Sequence, residues 1–262
     1  MGNLMNTAQI LPDLRRISLD GSLLYDFVEK FPESSHIREM QTKKYLMVNH
    51  HMVSDCGLQT VDDIIGYTQN DIWFDSTIQK KRSLSQTTIS SFKNRIKKID
   101  KIENQVLSTK HSVTAQCFFL NSRGHVGFET VVKTGIQNHE GKMIAFLTIC
   151  ICLTHQVPLS TLLKIYQVFY PHKEAIQKFL SHFNIESYFD PHAPLTQKEI
   201  EVLIAMRENS RCKVIANKFG CSVPTASSHI SNIHGKLTSG TLHDVLHKLS
   251  ALPEDEQIMY AV

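Results

Sequence analysis

The sequence predicts an α+β chain, with an antiparallel-sheet domain carrying helices in front of an all-α domain of four helices. Three observations support this. Strand-like runs at 112–121, 125–134 and 142–154 follow one another with only short turns between them, the pattern of an antiparallel meander. A long amphipathic stretch precedes them, with Ile89, Phe92, Ile96, Ile99, Ile102 and Val106 spaced by three and four, as on one helix face. Pro191 and Pro194 then break the chain, and four short capped helices follow.

The composition bounds the rest. The chain has 262 residues, 42% hydrophobic and 20% charged, which is ordinary for folded domains and long enough for two of them. The net charge of +3 does not announce a nucleic-acid binder, so any basic surface must be local. Six cysteines at 56, 117, 150, 152, 212 and 221 form no CxxC pair. Residues 1–14 lack a basic start followed by an apolar run, so no secretory signal is read there. The longest apolar run, 143–153, is far short of the roughly 20 residues that span a bilayer. The expectation is a cytoplasmic chain with reduced thiols, no cofactor, no metal and no membrane partner.

In chain order, residues 44–48 read as a short strand and 61–67 as a helical or turn segment ending near Gly66. Between 75 and 111 nine Lys or Arg stand against three Asp or Glu. Lys93, Arg95, Lys97, Lys98 and Lys101 would form a solvated face or a phosphate- or membrane-contacting patch. Ser122-Arg123-Gly124 and Asn138-His139-Glu140-Gly141 carry the turn chemistry of the meander. Cys150 and Cys152, two apart, share a strand face as small buried groups. Two helices follow at 158–170 and from Pro171 onward, each with an apolar face that must dock on the domain's own sheet, on a second copy, or on both.

Beyond the prolines, Thr196 with Glu199 three residues on is a capping box. Ile200, Leu203, Ile204 and Met206 form that helix's buried face. Ser210 can cap a second helix ended by Gly220, Ser222 a third from Val223 to about Leu237, and Thr241 a fourth. Two short helices joined by a glycine turn describe a helix-turn-helix.

The residues Leu195-Thr196-x-Lys198-Glu199-Ile200-Glu201-Val202-Leu203, then Ile215-Ala216-x-x-Phe219-Gly220-x-Ser222-x-x-Thr225, then His229-x-x-Asn232-Ile233-x-x-Lys236-Leu237 closely resemble the LuxR/FixJ-type DNA-binding domain. The resemblance implies that the third helix enters the major groove of duplex DNA, with Thr225, Ser227, Ser228, Ser231 and Asn232 facing it. His229 would pack beside the phosphates, while Lys236, Lys213 and Lys218 would reach them. There are departures. Ser227 stands where the family usually carries Lys or Arg, Ala226 where it has valine, and Asn209 where it has a glycine. Asn209 would then take the left-handed conformation. Lys236 is the only full cation from Ser222 to Leu237, so a lone monomer would bind weakly and a dimer on a palindromic site would compensate.

Upstream, Gln41-Thr42-Lys43-Lys44-Tyr45-Leu46-Met47-Val48-Asn49, then Gly57-Leu58-x-Thr60-Val61-Asp62-Asp63-Ile64-Ile65-Gly66-Tyr67-Thr68, resemble a PAS sensor domain, and the meander is similar to its last strands. That implies a sheet packed on helices around a cavity for a small-molecule ligand. Neither a phospho-receiver domain nor an acyl-homoserine-lactone sensor fits: strand–helix alternation is missing, and the chain has one tryptophan, Trp73. No flavin-type pattern surrounds Cys56, and adjacent His50 and His51 do not share a helix face.

The expected layout is a PAS-like sensor at 1–155, linker helices at 156–190 and a LuxR-type helix-turn-helix domain at 191–262. The expected function is signal-dependent DNA binding by a homodimeric, non-enzymatic transcription regulator. The alternative is a PAS-type signalling or protein-interaction module whose helix-turn-helix has lost specific DNA binding.

Overall fold

A computed structural model of the chain describes residues 21–79 and 84–250. Residues 1–14, the 80–83 part of the basic segment and the end of the expected third domain lie outside them. The chain divides into two compact units, one up to Thr154 and one from His155.

The first unit opens with α1 (Gly21–Lys30), β1 (Ser35–Glu39) and β2 (Tyr45–Val48). Three short helices follow, α2 (His50–Asp55), α3 (Gln69–Phe74) and α4 (Ser76–Gln79). The long α5 (Gln86–Thr109) leads into β3 (Val113–Leu120), β4 (Val126–Gln137) and β5 (Met143–Cys152). The strands form one antiparallel sheet in the order β2-β1-β5-β4-β3. This is the PAS-like sheet domain expected, completed by β1, which the sequence patterning left unread.

Asn49 explains why the first hairpin holds. It is fully buried, its Oδ1 accepts from Met52 N (3.1 Å) and Ser35 N (3.2 Å), and its amide donates to the Glu33 carbonyl (2.7 Å). One side chain thus caps α2 and ties the end of β2 to the start of β1. At the last hairpin Asn138 Oδ1 accepts from Glu140 N and Lys142 N, and Gly141 supplies the positive φ of +75°.

Two apolar clusters stabilise the unit. Tyr45, Val48, Met52, Val53, Ile64, Ile72, Trp73 and Phe92 fill the inner side beneath α2, α3 and α5. Val28 of α1 packs with Ile37, Met47, Ile136 and Ala145 in the second cluster. On α5 the apolar stripe is interrupted by two charges that also face inward. Glu103 is buried, and Arg95 reaches Glu129 at 2.5 Å. Arg95 therefore does not belong to the solvated basic face, which Lys93, Lys97, Lys98 and Lys101 keep exposed.

The second unit begins with α6 (Leu159–Phe169) and α7 (His172–His182). Their apolar faces close on each other, with Tyr166 edge-on to Phe179 and its hydroxyl 2.7 Å from buried His182 Nδ1. α6 also contacts α8 (Gln197–Glu208). The remaining helices are α9 (Cys212–Phe219), α10 (Val223–Gly235) and α11 (Leu242–Ser250). Ile200, Leu203, Ile215, Ala226, Ile233 and Val245 are their fully buried contacts.

Candidate nucleic-acid interface and a polar cavity

α10 is capped by Ser222, whose Oγ accepts from Thr225 N at 3.2 Å. Pro224 sits in the first turn, where a missing N–H costs nothing. Gly220 ends α9 in the left-handed region (φ 61°) and turns the chain into α10. α10 buries Ala226 and Ile233 and half-buries Ile230. The opposite side exposes two adjacent stripes, Thr225, Ser228 and Asn232 at i, i+3 and i+7, and Ser227 and Ser231 at i and i+4. His229 lies half-buried at the edge. The Thr225 hydroxyl already meets Ser222 Oγ at 2.8 Å. The face is thus a strip of hydroxyls and one amide, groups that can donate to and accept from base edges.

The cations stand differently from the expectation. Lys236 Nζ lies 2.6 Å from Glu199 Oε2 and donates to the Pro194 carbonyl at 2.9 Å. Glu199 completes the capping box by accepting from Thr196 N at 2.7 Å. Burial opposes ionisation of this carboxyl, but the Lys236 and Thr196 hydrogen bonds outweigh it and hold it below the usual range. Lys236 therefore fastens α10 to the start of α8. Lys218 pairs with Glu208 at 2.6 Å on the surface. Lys213 is exposed.

Two local expectations need correction. Asn209 is extended (φ −159°), not left-handed, and its Oδ1 accepts from Arg211 N at 2.9 Å. The Asx-type bond fixes the turn that the family makes with glycine. The N-cap of α9 is Arg211, not Ser210. Sequence reading also missed a clamp on α10. Phe189 pairs with Leu237 as an antiparallel bridge, Asp190 N donates to Lys236 O, and Thr238 N donates to Tyr188 O, both at 2.9 Å. The segment before the prolines is thereby hydrogen-bonded to the end of α10. No side-chain pattern encodes a backbone pairing of this kind.

In the first unit a row of side chains crosses the inner sheet face. His36 on β1 pairs with Thr148 on β5, and Thr148 pairs with Lys133 on β4. All three are buried. Glu103 of α5 reaches down to Lys133 Nζ at 2.7 Å, to Lys43 Nζ at 2.9 Å and to the Arg38 guanidinium. Beside this row is a cavity of about 40 Å³, lined by His36, Asp55, Trp73, Arg95, Lys133 and Thr148 among others. Among the described residues His36 Nδ1, Thr148 Oγ1, Arg95 Nε and Arg38 Nε have no hydrogen-bond partner, and the first three belong to residues that line the cavity.

Burial first, then Lys133, Arg38 and Arg95, hold His36 well below its ordinary range, so its imidazole is neutral. Burial and Arg38 push the Lys133 ammonium down to about 8 against the pull of Glu103. Burial and Glu129 raise the Asp55 carboxyl to about 7. Burial alone would raise Glu103, but Lys133 and Arg38 prevail and hold it at about 2. Burial also raises the Cys150 thiol well above its usual value, the state of a small inert core group. Among the described residues no group of three or more His, Cys, Asp or Glu side chains is placed to hold a metal ion. No described helix is long and apolar enough to cross a membrane. A signal for the charged cluster did exist in the sequence: Arg95 and Glu103 sit within the apolar spacing of α5.

Residues 193–249 match the family described as bacterial regulatory proteins, luxR family. No curated protein matches the chain. Solved structures with a similar course include the Vibrio cholerae VqmA–ligand–DNA complex, 16% identical over 89% of this chain and 91% of that one, TM-score 0.39. A phage VqmA–DPO complex is 16% identical over 90% and 94%, TM-score 0.42. The PAS domain of Bordetella pertussis BvgS is 11% identical over 56% and 95%, TM-score 0.34. Residues 193–249, with the capping box of α8, the glycine turn after α9 and the anchored α10, are a helix-turn-helix domain of the luxR family of bacterial regulatory proteins.

Proposed function

We propose that the chain is a transcription regulator that binds duplex DNA as a dimer through the exposed face of α10, and that a small molecule in the cavity of the first unit sets that binding. The working division is a sensor at 1–155, coupling helices at 156–190 and a DNA reader at 191–262. The observation that carries the reading is the segregation on α10. Ala226 and Ile233 are buried while Thr225, Ser227, Ser228, Ser231 and Asn232 are all exposed on the other side. Every surface helix turns polar groups to water; this one does so with neutral hydrogen-bonding side chains within the 193–249 segment that matches the luxR family. Lys213 supplies a phosphate contact, and Lys218 can supply another once it leaves Glu208.

Coupling runs through residues already tied together. The 188–190 segment pairs with the end of α10, so a shift of α6 and α7 would be felt there. A ligand can drive such a shift only by binding one arrangement more tightly than the other.

Fluorescence anisotropy on duplex DNA across a salt series tests the reading. Binding should weaken with salt with a shallow slope, because few phosphates are neutralised, and Asn232→Ala should reduce preference among sequences by about 1–3 kcal/mol. One observation favours the second reading, a protein-interaction module: no Lys or Arg occurs from Ser222 to Gly235. Absence of binding to any duplex at low salt would select it.

A further inference from the structure

We infer that the cavity of the first unit seats a small organic anion, a carboxylate of a few heavy atoms, between Lys133 and Arg95 and against Thr148 and His36. The inference rests on the proposed sensor role and names the chemistry of what that sensor would bind.

The first argument is charge. Lys133 and Arg95 line the cavity, and the carboxylates are unevenly shared between them. On the Lys133 side Glu103 alone meets Lys133, Arg38 and Lys43. On the Arg95 side Glu129 meets Arg95, with Glu33 and Asp55 close enough to act on it or on each other. A buried cation short of counter-charge is costly. An anion seated toward Lys133 adds the negative charge that this side lacks, which water does not.

Hydrogen bonding gives the second argument. Arg95 Nε is a donor with no acceptor, and Thr148 Oγ1 carries a free hydroxyl. His36 Nδ1, on a neutral ring, is either a donor or an acceptor according to tautomer. His36 and Thr148 are more than nine-tenths buried and line the cavity. Buried polar groups without partners are rare enough to call for a cause. A carboxylate presents several acceptor sites on two oxygens, which suits one ammonium, one guanidinium N–H and one hydroxyl converging from two strands and a helix.

Size is the third argument. About 40 Å³ accommodates a few waters or a compact ligand, and lies roughly tenfold below the pockets that enclose drug-sized molecules. Trp73 on the wall offers an apolar surface for a short carbon body.

The test titrates the full chain by calorimetry with acetate and propionate, and with acetamide and propionamide as neutral isosteres, at constant ionic strength. The carboxylates should bind saturably and raise the melting temperature, with the amides at least about tenfold weaker. Lys133→Met should erase that preference while Glu103 keeps Arg38 and Lys43. Should that variant not fold, Thr148→Val decides, since it keeps the charge and should weaken carboxylate binding about three- to tenfold. Amides binding as well as carboxylates would overturn the inference in favour of a neutral ligand. Failure of all four to bind would overturn it in favour of a water-filled cavity. Carboxylate binding that leaves DNA affinity unchanged would uphold the anion site and sink the sensor reading instead.

Discussion

Around Glu103 the first unit buries charge: Arg38 and Lys133 are almost wholly removed from water and share one carboxylate. From Ser222 to Gly235 the second unit does the reverse, exposing a helix face with neither lysine nor arginine. The charged groups are buried where desolvation is expensive, and neutral groups are displayed where a polyanion is the expected partner. The difference teaches what each region is built for. Buried charge makes a small, directional site with a strong preference for one kind of ligand. A neutral polar helix gives up the sequence-independent attraction of lysines for phosphate and leaves recognition to base edges. On the proposed function, affinity then comes from pairing two readers, and specificity is a larger part of what remains.

The sharpest way to break this contrast is to uncharge the buried hub. Glu103→Gln would leave Arg38 and Lys133 buried without a counter-charge and should cost about 3–5 kcal/mol in urea unfolding. A loss under about 1 kcal/mol would mean that the cluster is wetter than its burial indicates. The same carboxyl sets an acid limit. Its folded pKa of about 2 lies below the ordinary 4.5, so its stabilising contribution is present above 4.5 and is lost as pH falls from there toward 2. The Gln variant should lack that limb.

Lys236 comes next. Its ammonium joins Glu199 and the Pro194 carbonyl, so Lys236→Ala should cost about 1.5–3 kcal/mol of stability with the salt slope of DNA binding unchanged. A slope reduced by about 0.9 would instead identify a phosphate contact. For Asn232→Ala the expected loss is about 1–3 kcal/mol of discrimination between a selected site and a scrambled one, read by anisotropy, with no change in folding. Equal loss on both sequences would remove Asn232 from base contact. The smallest effect is a gain. Ser227→Lys restores the cation the family usually carries there and should steepen the salt slope by about 0.9 per protomer, without altering the melting temperature.

Much of this was legible in the residues. Capping boxes, the glycine turn and the spacing of Ile200, Leu203, Ile215 and Ile233 gave the helix-turn-helix domain, because helix caps and faces are local codes. The meander was readable for the same reason. β1 was missed because Ser35–Glu39 alternates without long apolar residues other than Ile37, and its pairing with β5 is distant in sequence. A cavity was expected from the resemblance, but its charged lining was not: Lys133 reads as surface charge until the fold turns it inward, and the place of Arg95 and Glu103 within the apolar spacing of α5 was passed over. Lys236 was matched by position to a phosphate contact; its partner, Glu199, lies 37 residues away, beyond any local pattern.

The central claim is that α10 reads a duplex by its neutral polar face, in pairs. Selection of bound sites from random duplex DNA by the full-length chain tests it most directly. The account predicts enrichment of an inverted repeat with half-sites about one helical turn apart, lost in Asn232→Ala. A pool that stays random at low ionic strength would contradict it.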